Sequence, residues 1–289
     1  MIALRGTVDI VVAAIPCQSA SKANLDRRSG DPRIRLGPLA ADLACEVHAP
    51  LVIMEDVASY EETQPVAHAA VIKRLKKHYE RCEEVVIDAL KCGAVARRRR
   101  LFIIATNKVD LDPTLKCVAR QIKVKDKDAA RTPRELLGQY RNLSGKTCVW
   151  FPALSRSKKG EHDGKPQRAR TMDKHFPCMT TKYKDMNEDF RRARLVEADD
   201  TTSKDQVIVL TAAEKGVVVG FAHNQPWSRA RFCDCAGCRA PEGAVAKRRA
   251  DPGSMQRGNV ICPLVFHFLL KTLIHAVANA DRKLSLIHI

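Results

Sequence analysis

The sequence predicts an α/β fold in which short buried strands alternate with amphipathic helices. Four runs are short, apolar and often β-branched, as buried parallel strands are; they lie at residues 9–15, 51–54, 84–89 and 101–105. Helical patterns separate these runs along the chain. This alternation indicates βαβ units with right-handed crossovers and one parallel sheet.

Each element has its own signal in the sequence. The strand at 9–15 is followed directly by Pro16-Cys17-Gln18, which places a cysteine at a carboxyl strand end, where open α/β sheets carry out chemistry. A helix is predicted at 36–47 before the strand at 51–54. In a second helix, predicted at 66–82, apolar side chains recur at helical spacing and basic side chains face out. The basic run 97–100 precedes the strand at 101–105.

The charge of the chain favours a polyanionic partner. Its 289 residues suit one large or two modest domains, and 45% hydrophobic residues suffice for a core. Lys and Arg number 50 against 33 acidic residues, a net charge of +17. Neutralising phosphates releases counterions, so this excess favours nucleic acid over a basic surface that binds nothing.

The cysteines and apolar runs argue against secretion and against a membrane. Eleven cysteines are scattered without the spacing of a disulfide framework, which predicts reduced thiols and a cytoplasmic location. Asp9 interrupts the N-terminal apolar run, so a signal peptide is not predicted. The apolar run at 260–270 is too short to span a bilayer.

Four sequence blocks follow one another in a fixed order, and together they resemble the cytosine-C5 DNA methyltransferase family. They are Pro16-Cys17-Gln18, Met54-Glu55-Asp56-Val57, the segment 98–104 and Gln256-Arg257-Gly258-Asn259. The family blocks read Pro-Cys-Gln, Glu-Asn-Val, Gln-x-Arg-x-Arg and Gln-x-Gly-Asn. A fifth, looser match runs from 210 to 221. The resemblance implies a partial Rossmann-like methyltransferase sheet with a small basic target-recognition lobe.

The reaction that the resemblance implies needs a thiol and a carboxyl group. Cytosine C5 is a poor nucleophile until a soft nucleophile such as thiolate adds at C6, and a carboxyl group near N3 eases this attack. The resemblance assigns Cys17 as the nucleophile and Glu55 as the N3 partner. It assigns Arg98 and Arg100 to the flipped base and the adjoining phosphate of double-stranded DNA.

Further residues are assigned to substrate and cofactor. Pro16, Gln18 and Ser21 are predicted to contact the substrate, and Asn259 the cofactor S-adenosylmethionine. The sequence leaves open a restriction-modification, phage or orphan role.

The blocks also depart from the family pattern. Asp56 stands where the family has Asn, Ala96 where it has Gln, and Ile15 where it usually has a second proline. The Gly-rich cofactor block of the family has no counterpart before Asp9. We therefore expect a fragment or one piece of a split enzyme, completed by an upstream subunit or a missing N-terminal half, because the strand at 9–15 would otherwise be an unpaired edge.

Composition divides the chain into four predicted segments. Residues 1–106 form the catalytic half of the methyltransferase domain, and 107–205, rich in Lys, Arg, Asp and Thr, form the target-recognition region. Residues 206–282 return to the catalytic domain, and 283–289 are interpreted as an artefactual tail.

Four other interpretations remain open. Asn107-Lys108-Val109-Asp110 resembles a guanine-reading motif of GTPases, although the phosphate loop lacks its first glycine. Cys233, Cys235 and Cys238 are a possible zinc cluster that needs a fourth ligand such as His223 or Cys262. The substrate class could be transfer RNA, and the chain could be an inactive, basic DNA-binding remnant.

Overall fold

The structure, a computed structural model, describes part of the chain. The described residues are 5–17, 19–21, 30–116, 118, 132–140, 146–151, 168–171, 175–176, 194–197, 208–209, 217–218, 220–221 and 262–287. Backbone contacts divide the chain into two units. The first comprises residues 1–93, 97–130 and 260–289, and the second comprises 94–96 and 131–259.

The first unit contains an α/β layer, as the sequence predicts. Its elements in chain order are β1 (Ile10–Ala14), α1 (Leu36–Val47), β2 (Leu51–Val57), α2 (Tyr60–Thr63), α3 (Pro65–His78), β3 (Arg81–Asp88) and β4 (Arg99–Thr106), and further along the chain a long helix at Pro263–Ile287. Single 3₁₀ turns lie at Pro32–Arg35 and Ala89–Cys92. The helix predicted at 36–47 is therefore confirmed.

The second predicted helix ends earlier than expected. The apolar spacing suggested a helix to residue 82, but α3 ends at His78, and Tyr79 is extended. Cys82 belongs to β3 instead. Three basic residues occupy the last turn of α3, where positive charge is favourable against the helix dipole. The Tyr79 amide still donates to the Leu75 carbonyl at 2.8 Å, which closes the helix.

The four strands form one mixed sheet in the order β1-β2-β4-β3. β1 pairs with β2 in parallel, while β4 runs antiparallel to both of its neighbours. The prediction of a parallel strand at 101–105 is therefore wrong. Because β4 is reversed, its first residues lie at the same sheet edge as the last residues of the other three strands. That edge carries the site described below.

The core lies between the sheet and the pair α1 and α3. Alternate residues of β2 and β4 face these helices, among them Val52, Met54 and Ile103. Ala41, Ala44, Val71 and Leu75 supply the helical side of the same cluster. Burying each large aliphatic side chain contributes about 1.5–3 kcal/mol. The cluster thus fixes β2 and its neighbours against the helices.

The second unit contains an antiparallel sheet of its own. Its elements are α4 (Pro133–Gly138), β5 (Lys146–Phe151), β6 (Arg168–Thr171), β7 (Arg194–Glu197) and β8 (Ile208–Val209), and the strand order is β6-β5-β7-β8. Thr132 and Glu135 form a reciprocal capping box at the start of α4. We number the long helix Pro263–Ile287 of the first unit α5.

Neither α5 nor any other helix within the described ranges combines the length and the apolar character that crossing a bilayer requires.

We predict that Gly37→Ala destabilises the protein by about 1–3 kcal/mol, because a buried close contact resists added volume. A Cβ atom at Gly37 would lie 2.5 Å from the Tyr60 hydroxyl oxygen. The matched control is Gly138→Ala in α4, where a Cβ atom would meet nothing within 4 Å. Urea denaturation measures both, and equal effects of the two substitutions would contradict the prediction.

Candidate active site

Four chain segments meet at the edge where β1, β2 and β3 end and β4 begins. The parallel register pairs Ala14 with Glu55. The antiparallel register pairs Val57 with Arg100, one residue after the start of β4. Cys17 lies three residues beyond Ala14, so sulfur, carboxyl and guanidinium groups are brought to one end of the sheet.

The segment after β1 is held in a tight turn around Cys17. The Ile15 amide donates to the Glu55 carbonyl at 3.0 Å, which continues the strand pairing past the end of β1. The amides of Ala20 and Ser21 both donate to the Cys17 carbonyl, at 3.1 and 2.8 Å. Two bonds to one carbonyl fix the direction in which the chain leaves the cysteine.

Side chains of α2 and its neighbours anchor the same turn from outside. The hydroxyl groups of Ser59 and Thr63 donate to the Ala20 carbonyl at 3.2 and 2.8 Å. The Gln64 amide nitrogen donates to the Ser19 carbonyl at 3.0 Å. The turn that carries the thiol is thus tied to the segment after β2 as well as to β2 itself.

Glu55 is a buried carboxyl group paired with Arg100. Glu55 is 4% exposed, and its Oε1 lies 2.8 Å from Arg100 Nε. Among the described residues this oxygen receives no hydrogen bond of good geometry, so the contact is an ion pair with an imperfectly aligned N–H. Burial raises the pKa of Glu55, while Arg100 and then Arg98 oppose that rise.

Asp88 positions Arg98, a role that was not predicted from the sequence. One Asp88 carboxylate oxygen accepts from the backbone amides of Leu90 and Arg98, at 3.3 and 3.2 Å. The other oxygen accepts from Arg97 Nε at 3.2 Å. Arg98 itself is 4% exposed. An aspartate that ends a strand and caps a following turn is the signal that would have found it.

The Cys17 thiol is half-buried between charges of both signs. Burial raises its pKa, and Arg100 is the strongest opposing influence. The carboxyl groups of Asp56 and Glu55 raise it further, and Arg98 lowers it. Each of these groups therefore acts on the sulfur across the strand ends, and the two arginines favour the thiolate.

Similarity to known proteins agrees with this geometry. The family model of C-5 cytosine-specific DNA methylases matches residues 3–218. The chain belongs to this family. Membership makes it a methyltransferase of the cytosine-C5 type. No curated protein sequence matches the chain closely enough to count as a relative.

Solved methyltransferase structures share the fold of this family member. The Dnmt2 methyltransferase of S. pombe is 18% identical with a TM-score of 0.55, and the match covers 92% of this chain and 77% of that one. A putative DNA modification methyltransferase encoded within an E. coli prophage is 14% identical with a TM-score of 0.52, covering 93% and 79%. At these identities the similarity concerns the fold.

Some predicted site residues of this methylase lie together at one end of the sheet, and others lie outside the described part of the chain. Cys17, Glu55, Arg98 and Arg100 are brought together at one edge, with Pro16 half-buried beside the thiol and Ser21 in its turn. The remaining predicted residues lie outside the described part of the chain; they are Gln18, Asn259 and the possible zinc ligands Cys233, Cys235 and Cys238.

The GTPase-like motif of this methylase has a structural use. Asn107 Oδ1 accepts from the Glu80 amide at 2.6 Å, and its Nδ2 donates to the His78 carbonyl at 3.3 Å. Asn107 thus joins the end of β4 to the turn between α3 and β3. An asparagine engaged in this way is a structural residue rather than a reader of guanine.

We predict that Arg100→Ala slows alkylation of Cys17 at neutral pH by roughly threefold to tenfold, because the strongest opposing charge is lost and the thiol pKa rises. It should also destabilise the fold by about 3 kcal/mol, since Glu55 is left buried and less well compensated.

The matched control is Arg99→Ala, because Arg99 is the exposed preceding residue. Iodoacetamide labelling with peptide mapping gives the Cys17 rate in each variant, and denaturant titration gives the stability. Equal results for the two arginine variants would show that position 100 has no special influence on the thiol.

Proposed function

We propose that this methylase transfers a methyl group to C5 of cytosine in double-stranded DNA, through a covalent bond between Cys17 and C6 of a base flipped out of the duplex. One observation carries the proposal: a thiol, a buried carboxyl group and two arginines act on one another at a single sheet edge. Covalent methylation of a pyrimidine ring needs a nucleophile, a proton donor and positive charge at one place.

Cys17 forms and later releases the covalent bond. Its thiolate adds to C6, and the π electron pair of the C5–C6 double bond is displaced onto C5 and, by conjugation, onto N3, so that C5 becomes nucleophilic. After C5 is methylated, a base removes the C5 proton, and the electron pair of that C–H bond restores the double bond and expels the thiolate. The Cys17 thiolate is thereby regenerated for another turnover.

Glu55 stabilises the negative charge that develops at N3 of the ring. Because burial raises the pKa of Glu55, its protonated form is favoured relative to an exposed carboxyl group. A protonated Glu55 can donate a hydrogen bond to N3 during thiolate attack. Arg100, at 2.8 Å, orients the carboxyl group for this donation.

The arginines and the net positive charge of the chain bind the nucleic acid. Arg98 and Arg100 are proposed to hold the base and its adjoining phosphate, since guanidinium groups bind phosphate with two parallel hydrogen bonds. Extruding the base costs a few kcal/mol. Contacts of phosphates with a chain of net charge +17 would offset this cost.

S-adenosylmethionine is the proposed methyl donor, and when bound it supplies an electrophilic methyl group. The residue assigned to it, Asn259, lies outside the described part of the chain. The described edge holds groups suited to the base, namely Cys17, Glu55, Arg98 and Arg100.

β1 is the outermost strand in the order β1-β2-β4-β3, and this position is relevant to the upstream subunit predicted from the sequence. Within the described ranges, β1 pairs with β2 alone. We propose that a strand of a second polypeptide adds to the other side of β1 by main-chain pairing. The assays below are therefore run with the chain alone and with a candidate upstream polypeptide.

We predict that duplex DNA containing 5-fluorocytosine traps the chain in a covalent complex in the presence of S-adenosylmethionine. Fluorine at C5 cannot be removed as a proton is, so the final elimination stops and the bond to Cys17 survives denaturation. Cys17→Ser should abolish the complex. Cys82→Ala should keep it, because Cys82 lies at the start of β3, far from the site edge.

Denaturing gels and peptide mapping decide the outcome of the trapping experiment. A complex that persists in Cys17→Ser contradicts the proposed nucleophile. Trapping on 5-fluorocytosine transfer RNA but not on DNA would move the substrate to RNA. Failure with every substrate, with and without the upstream polypeptide, would leave DNA binding without catalysis.

We predict that Glu55→Gln lowers the turnover number for methyl transfer by about 10²- to 10⁴-fold, the usual contribution of a positioned acid. Glutamine keeps the shape of the side chain but has no acidic proton for N3. Incorporation of labelled methyl groups measures turnover, and gel shift measures DNA affinity, which should change little. A loss confined to affinity would contradict the assigned role.

A further inference from the structure

Asp56 is a buried carboxyl group that the reaction above does not use. It is 2% exposed and follows Glu55 directly on β2. Neighbouring strand residues point to opposite faces, so Asp56 shares the face of Met54, which packs in the apolar cluster with Tyr60. Cys17 packs against the same cluster. Asp56 is therefore a buried acid on the face of β2 that carries the apolar cluster against which Cys17 packs.

The hydrogen bonds of Asp56 are incomplete. Its Oδ1 accepts from the Val57 amide at 2.6 Å. Its Oδ2 is buried without a hydrogen-bond partner in the part of the chain that the structure describes, and so is the Tyr60 hydroxyl oxygen. An ionised carboxylate in this position would hold a desolvated charge on an oxygen that no donor contacts, which is unfavourable.

Within the described ranges, the surrounding charges do not compensate an ionised Asp56. Arg100 is the cation that acts on it, but Arg100 contacts Glu55, and the repulsion from Glu55 exceeds the attraction from Arg100. Burial is the largest influence, and together these effects raise the pKa of Asp56 to about 7. Burial, and after it the charge of Asp56, raises the pKa of Tyr60, which stays neutral.

The chemistry of a protonated aspartic acid matches the amide that the family has at this position. A protonated carboxyl group offers one acceptor and one donor, as asparagine does, and it adds no charge. An ionised Asp56 adds a negative charge that raises the pKa of the Cys17 thiol. Among the described residues, the titratable and charged groups that act on Asp56 or Cys17 include Glu55, Arg98, Arg100 and Tyr60.

We propose that Asp56 is a positioning residue that carries a proton in the working site, and that its ionisation lowers the reactivity of Cys17. Protonated, it takes the place of the asparagine that the family has at this position. Ionised, it adds a negative charge that disfavours the Cys17 thiolate. The site thus contains an acid that opposes its own nucleophile as the pH rises through neutrality.

The proton on Asp56 also determines whether its contribution to stability rises or falls with pH. In the folded state Asp56 binds a proton up to pH about 7, while an unfolded chain releases it near the ordinary value of 3.8. The folded state therefore holds more protons between these limits, and the Asp56 contribution to stability falls as the pH rises from about 4 to about 7.

The test compares Asp56→Asn with Asp42→Asn, an exposed aspartate on α1 paired with Arg74. We expect Asp56→Asn to move the midpoint of Cys17 alkylation to lower pH by roughly 0.5 to 1 unit, and to remove part of the fall in denaturation midpoint between pH 4 and 7. Asp42→Asn should change neither quantity.

Each outcome has a defined meaning. Asp56→Asn behaving like Asp42→Asn in both measurements overturns the proposal. If Asp56→Asn does not fold, Asp56→Ser, which is also uncharged and can accept from the Val57 amide, is measured against the same expectation. The proposal rests on the proposed function of Cys17, but neither readout needs turnover. A failed methyl transfer with the shifts present would refute the function alone.

Discussion

A buried ion pair between neighbouring strands, Glu55 on β2 and Arg100 on β4, is the interaction on which the site depends. Both side chains are largely removed from water, so either one alone would be an expensive charge in a poorly solvating place. The pair can form only because β4 runs antiparallel to β2, which brings the start of one strand to the end of the other. A parallel β4 would have carried its arginines to the far edge of the sheet.

Cys17 and Glu55, at the same end of the sheet, have conflicting electrostatic requirements. A nucleophilic sulfur needs positive charge nearby, whereas a proton-donating carboxyl group needs burial and little positive charge. Arg100 acts on both Cys17 and Glu55, and it lowers the pKa of each. Burial has the larger effect in both cases, so the pKa of each group lies above its ordinary value. A bound substrate would exclude further water and alter this balance.

The sequence predicted the strands, the first helix and the residues that meet at the edge, since apolar runs and helical spacing are local properties. Strand direction is not local, because an apolar run such as 101–105 reads the same way whichever direction its neighbours take. The end of α3 was missed because Cys82 continues the helical spacing by coincidence, although the basic residues before Tyr79 indicated a terminus. The role of Asp88 had a local signal, because this aspartate ends a strand and caps the following turn. The buried surroundings of Asp56 depend on long-range packing, which no short motif records.

The Ala20 carbonyl has a consequence for how this protein tolerates change. Two hydroxyl groups, from Ser59 and Thr63, lie within hydrogen-bonding distance of its one oxygen. The Thr63 hydroxyl is also 2.7 Å from the Ser59 carbonyl, so it has an alternative acceptor. The attachment is redundant, and one hydroxyl can be lost while the other still holds. A substitution at Ser59 or Thr63 alone would therefore have little effect on the attachment of this turn. Substituting both residues would have a larger effect than the two single substitutions added together, which makes the positions an epistatic pair.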